Sequence, residues 1–207
     1  MRKWINIDFG ISPADPKPSR LDEAEITYLY SEWKTFGSKN LLGTTLAGRD
    51  VWTQDLASNH QVFEVNDPSE CYAIVEESPT GWKILQEIQV KPTSRRNGLA
   101  GDLLVFMTHE FKRLMIGQQM SRELDQLVEK MVSSHVVTAS VANLSTGQMV
   151  EYDPDRDEGL ALYDIEIMKR PPIVDDNPLA IVWVLEPYRR PRAPILSEMI
   201  RRGPRLV

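Results

Sequence analysis

One cysteine stands among 207 residues, so neither an internal disulfide nor a thiolate metal cluster can form. Such scarcity of cysteine fits a reducing compartment. Histidine is almost as sparse. His60, His109 and His135 are scattered with no second ligand at metal spacing, so no metal site is expected. No apolar run is long enough to cross a bilayer, which predicts a protein with no membrane partner. The opening "MRKWINIDFGISPADPK" meets Asp8 and a proline cluster too early to supply the apolar core of a secretion signal. These absences together point to a cytoplasmic protein. Internal repeats and low-complexity segments are missing too, which excludes solenoid and fibrous classes.

What is present is ordinary in bulk and uneven in distribution. An apolar share of 42% and a charged share of 26% suit a globular domain with a full core. The net charge of −6 hides an asymmetry. Residues 1–168 hold 16 Lys/Arg against 26 Asp/Glu, whereas residues 169–207 hold eight against four and carry seven of the 14 prolines. The expected division is a domain over 1–170 and a basic, proline-rich C-terminal extension, strand plus arm, over 171–207. Such a tail either folds back on its own acidic domain or a neighbouring copy, or meets nucleic acid. The first is favoured. "ILSEMIRR" sets Ile195, Leu196, Met199 and Ile200 on one helical face, which makes a homodimer or larger assembly through the arm an expectation.

Hydrophobic periodicity orders the elements. "KWINIDF" reads as a strand. Ile26, Leu29, Tyr30 and Trp33 form a helical stripe, with Ser19 or Asp22 as its cap and Gly37 as its stop. Residues 38–60 read as loop, with or without a short helix. "QVFEV", "CYAIVEES" and "WKILQEIQV" are separated by turn-like "NDPSE" and "PTG", which predicts a three-stranded antiparallel meander. Leu103, Leu104, Met107, Phe111, Leu114 and Met115 form a second helical stripe that Gly117 breaks. Met120, Leu124, Leu127, Val128 and Met131 form a third. "HVVTASVAN", "ALYDIEIMKR" and "LAIVWVLEP" read as strands. The fold class is α/β (α+β): a mixed, mostly antiparallel central sheet flanked by helices.

Between the third meander strand and the second stripe lies "VKPTSRRNGLAGDLL". Pro92 cannot donate to a ladder and releases the chain after Val90. Gly98 and Ala100 let a ligand approach the backbone, and a helix beginning at Leu99 leaves its first amides unpaired at the positive end of its dipole. Backbone donors beside Arg95 and Arg96 make a polyphosphate site. No Gly-Lys-Ser/Thr follows, so the turn is not a P-loop, and a Rossmann fingerprint would need a parallel βαβ unit.

The same residues resemble, without a gap, the acetyl-CoA motif of the GCN5-related N-acetyltransferases (GNAT), Val-x-Pro-x-x-Arg-x-x-Gly-x-Gly/Ala followed by Leu-Leu. The motif falls on Val90, Pro92, Arg95, Gly98, Ala100, Leu103 and Leu104. The resemblance is firmest over residues 61–116 and extends through element order to about 170, with "YDIEIMKR" as the last core strand. It implies a GNAT-like fold and acetyl-CoA as cosubstrate. The amides of Arg95, Arg96, Asn97, Gly98, Leu99 and Ala100 would cradle the CoA pyrophosphate, and the main chain of Ile88 and Val90 would pair with the pantetheine arm. An amine acceptor would take the acetyl group directly.

Such transfer needs a base for the amine and an acid for the leaving thiolate. Under the resemblance Glu87 is the candidate base, on the strand before the motif. Alternation along a strand predicts that Gln86 and Glu87 face opposite sides. Tyr152 is the candidate acid with Tyr163 behind it, although Tyr152 lies two residues farther from Asn143 than the family pattern has it. "STGQ" before it reads as a hairpin turn. "DPDRDEG" has the look of a calcium loop, but Glu158 occupies the place that requires glycine, so it reads as an acidic loop able to attract a cationic amine. Two alternatives stand beside the enzyme: a GNAT-fold binding or assembly module without turnover, and a nucleic-acid-associated relative using its basic tail.

Overall fold

A computed structural model describes residues 5–6, 23–36, 38–56, 59–66, 69–78, 81–117, 121–144, 147–153 and 181–188. Ten strands form one sheet: β1 (Ile5–Asn6), β2 (Asn40–Thr44), β3 (Asp50–Asp55), β4 (His60–Val65), β5 (Cys71–Glu77), β6 (Lys83–Val90), β7 (Leu114–Gly117), β8 (Val137–Asn143), β9 (Gln148–Glu151) and β10 (Ile181–Pro187). Among the described residues three α-helices accompany them: α1 (Glu23–Phe36), α2 (Leu99–Phe111) and α3 (Arg122–Ser133). The strand order is β1-β9-β8-β10-β7-β6-β5-β4-β3-β2, antiparallel throughout except where β6 meets β7.

The meander is longer than its sequence pattern suggests. β2 and β3 extend it to five strands, so residues 40–44 and 50–55 are strand and not loop. Polar residues on β3 hid it: Gln54 is buried in the fold, against the rule that links alternation to burial. The second helical stripe is also corrected. Lys112 adopts a left-handed conformation (φ 65°) and ends α2, so Leu114 and Met115 belong to the short buried strand β7. Four residues are too few to show a period. α3 begins at Ser121, whose hydroxyl accepts from the Leu124 amide at 3.3 Å, with Glu123 and Asp125 in the first turn.

β10 lies between β7 and β8 and pairs with both. Residues 181–187 are therefore part of the central sheet. Packing follows from the pleat. Val51, Phe63, Ala73, Val75, Leu85, Val141 and Trp183 point to one face, where Leu103, Leu104 and Met107 of α2 and Val128 and Met131 of α3 cover them. Leu29 of α1 packs on Val62 and Ile74 of the other face. "ALYDIEIMKR", "ILSEMIRR", Tyr163 and the acidic loop after Asp153 lie outside the described residues.

Candidate functional site

β6 and β7 are parallel for two residue pairs only, Ile84 with Met115 and Leu85 with Ile116. Beyond Leu85 the strands part, and β6 continues to Val90 with β5 on one side and no described strand on the other. Successive residues of a strand turn their amide and carbonyl to alternate edges, so part of the 86–90 backbone faces this opening. Gly117 stands at the end of β7, and a Cβ there would meet nothing within 4 Å.

The parting begins at a β-bulge. Val75 pairs with Leu85 and Ile74 with Glu87, leaving Gln86 as the extra residue. The bulge overturns the expected alternation. Ile84 and Glu87 sit opposite Glu76 and Ile74, two residues apart on β5, and so share the α1 face. Gln86 donates from Nε2 to Glu76 Oε2 at 2.6 Å, on that same face. Gln86 and Glu87 are therefore not on opposite sides. Glu87 is half-buried and accepts from Gln89 Nε2 at 3.1 Å.

Past Val90 the chain makes a short 3-10 turn (Pro92–Ser94) and reaches Gly98, which caps α2 in a left-handed conformation, φ 75° and ψ 5°. No side chain caps this helix. Its first internal bond runs from the Asp102 amide to the Gly98 carbonyl at 2.9 Å. The amides of Gly98, Leu99, Ala100 and Gly101 have no partner among the described residues. A Cβ on Gly98 would meet nothing within 4 Å, so the space beside the start of α2 is open there. Arg95, Arg96 and Asn97 are exposed, and neither guanidinium has a partner among the described residues.

Two clamps fix the turn. Glu70 accepts from Ser94 Oγ at 3.0 Å and from Asn66 Nδ2 at 2.5 Å, while its carbonyl accepts from the Lys91 amide at 2.9 Å. The hydrogen bonds from Asn66 and Ser94 hold its carboxyl below the usual carboxylate range. On the other side Arg49 donates to the Asn97 carbonyl at 2.9 Å and pairs with the Asp102 carboxylate. Asp102 would otherwise repel an anion at the helix mouth; Arg49 neutralises it. Arg49, Glu70 and Glu76 carry no sequence signal, because each acts on residues distant along the chain. Asp102 carries a local signal that the sequence reading did not use, an acid in the first turn of a helix.

The candidate acid is elsewhere. Tyr152 is buried in the core on the α2–α3 face, edge-on to Trp183 (4.9 Å, 86°), and its amide donates to the Ala139 carbonyl at 2.9 Å. Ala139 is level with Leu185 and Leu114, at the joined end of β6 and β7. Glu87 occupies the opposite face, so the structure does not bring Glu87 and Tyr152 together. "STGQ" is the β8–β9 hairpin turn, and the helix that follows the parallel strand β7 is α3, which contains no tyrosine. Cys71 is buried opposite Val90, and burial pushes its thiol up to about 12. Among the described residues no cluster of three His, Cys, Asp or Glu can hold a metal ion, and no helix is long and apolar enough to cross a membrane. No protein-family model and no curated protein matches this chain.

Proposed function

We propose that this chain is a GNAT-type N-acetyltransferase that moves an acetyl group from acetyl-CoA to an amine acceptor. One observation carries the reading: the four amides of Gly98–Gly101 have no partner among the described residues, open space lies over the left-handed Gly98, and the exposed Arg95 and Arg96 at the rim have none there either. Four donors and two guanidiniums match the oxygens and the charge of a diphosphate. The pantetheine arm would lie along the uncovered edge of β6 past Ile88 and Val90, as an added strand does. Its thioester would then reach the bulge at Gln86, where β6 and β7 part. The element order from the meander through the motif, α2 and β7 is the one the resemblance calls for.

Attack by the amine nitrogen on the thioester carbonyl requires that nitrogen neutral and close to the carbon. Glu87, half-buried on the α1 face beyond the bulge, is the proton acceptor to which the resemblance points. Tyr152 has no place in this reading. Tyr163, the other candidate acid, lies outside the described residues, so a second reading stands beside the enzyme: a GNAT-fold module that binds CoA without turnover. Calorimetric titration with acetyl-CoA tests the site, and thiol release with a panel of amines separates the two readings. Binding with release supports the enzyme and binding alone supports the module. No binding removes both.

A further inference from the structure

The α1 face of the sheet carries buried polar atoms that α1 does not satisfy. Trp52 Nε1, Gln54 Oε1 and both ring nitrogens of His60 are buried without a hydrogen-bond partner among the described residues. All three residues lie on β3 and β4, and the register sets them on the side of Val62 and Ile74. Unpartnered polar atoms under a helix are costly unless something else enters to meet them. His60 is the most telling, because it is 9% exposed and neither nitrogen is engaged.

Its neighbours place it. His60 is the Cα partner of Glu76, and Glu76 is the Cα partner of Ile84 on β6. Cross-strand partners share a face with Cβ atoms about 5 Å apart. Glu76 in turn holds Gln86, the bulged residue at the parting of β6 and β7. A row therefore runs across three strands, from an unengaged imidazole through a carboxylate to the place where the thioester would end. Two strand spacings of about 4.8 Å separate the ends of that row.

We propose that His60 is the proton-accepting catalytic residue and that Glu76, oriented by Gln86, anchors a cationic amine acceptor; the inference rests on the acetyltransferase reading. In it Glu76 attracts the ammonium form, and His60 takes the proton that must leave the amine. The neutral nitrogen attacks the thioester carbonyl carbon, the C–N bond forms and the C–S bond breaks. The thiolate leaves and is protonated to the CoA thiol, so nothing beyond the two substrates is consumed. Among the described residues of β3–β6 the charged groups on this face are Asp50, Glu64, Glu76 and Glu87, with Lys39 tied to Glu64 at 2.9 Å. The described side chains that α1 packs against the sheet, Ile26 and Leu29, are apolar. The face is thus acidic, which selects a cation over an anion as acceptor. Glu87 becomes a neighbour of the site, not its base.

The test measures thiol release from acetyl-CoA with spermidine, lysine amide and a peptide bearing a free N-terminus, alongside the acetyl-CoA Kd and the melting midpoint. His60→Gln keeps bulk and hydrogen bonding but is not basic. It is expected to lower kcat by about 10²-fold or more with the acetyl-CoA Kd and the midpoint unchanged. His60→Ala is expected to regain rate when imidazole is added, which a purely structural histidine would not allow. Glu76→Gln, at a half-buried position, is expected to raise the amine KM about tenfold and leave the acetyl-CoA Kd alone. Wild-type turnover that persists in His60→Gln within about threefold overturns the inference and leaves the function standing. Acetyl-CoA bound by the wild type with no thiol released across the three amines overturns the inference and leaves the binding module. No acetyl-CoA binding by the wild type overturns both.

Discussion

Arg49 reaches across 53 positions of sequence to pair with Asp102, and the same guanidinium holds the Asn97 carbonyl at 2.9 Å. The β2–β3 turn is thereby tied to both flanks of Gly98. The contact converts an acidic first helical turn, which would oppose a bound anion, into a neutral one with its backbone donors still free. Arg49→Ala is expected to cost about 1 kcal/mol of stability, since both partners are partly exposed. It should weaken acetyl-CoA about tenfold, because Asp102 is left unopposed at the helix mouth. Asp102→Asn in the Arg49→Ala background should restore most of that affinity. A double-mutant cycle by calorimetry reads the coupling, and additive losses would show that the pair does not act on the turn.

Gly98 offers a sharper separation of fold from binding. Its φ of 75° is one that a β-branched residue adopts only at a cost of about 1–2 kcal/mol. Nothing surrounds its missing Cβ, so the fold should tolerate Gly98→Val with a lowered melting midpoint. The added methyl groups would sit over the free amides, and acetyl-CoA binding should disappear. Arg95→Glu with Arg96→Glu should instead leave stability within about 0.5 kcal/mol, because both side chains are exposed and neither has a hydrogen-bond or ion-pair partner among the described residues. That variant should bind acetyl-CoA about 10²-fold more weakly, a loss that shrinks as salt rises. Equal affinity in wild type and both variants would remove the diphosphate assignment.

Glu70 makes the turn sensitive to acid. Its folded carboxyl titrates below the ordinary carboxylate value because Asn66 and Ser94 donate to the ionised form. A depressed folded pKa contributes stability at pH above the unfolded value, and that contribution fades as pH falls through the folded one. Ser94→Ala should therefore lower the midpoint at neutral pH and converge with wild type in strong acid. Parallel pH–stability curves for the two proteins would show that the bond from Ser94 does not favour the carboxylate.

Cys71 gives a simple probe of integrity. With its thiol pushed up to about 12 by burial, it carries almost no thiolate at neutral pH. A disulfide reagent should leave the native protein unmodified and react fully once denaturant unfolds it. A raised folded pKa also means that the neutral thiol's contribution is intact below the unfolded value and is lost in strong alkali. Rapid modification under native conditions would place β5 on the surface.

The motif helix and most strands were legible because their signals are local. Alternation marked β4, β5, β6, β8 and β10, and Gly98 before a Leu-rich stripe marked the start of α2. What escaped was set by partners far along the chain. β7 is recognisable only beside β6 and β10, and β3 only once Trp52 and Gln54 are seen to face α1. The bulge at Gln86 moved two polar residues to one face, which no period of two can anticipate. Tyr152 looked available as an acid until Trp183, 31 positions later, was found packed against its ring.

The position of β10 has a kinetic consequence. β6 and β7 hold each other by two residue pairs, and β7 never pairs with β8. The two parts of the sheet are joined through a strand that is synthesised after both. A growing chain can close the five-stranded meander early, from contacts near in sequence, but must hold an open slot until residue 187 has been made. During that interval the facing edges of β7 and β8 are unpaired and apolar, which is when a holding chaperone would have most to protect.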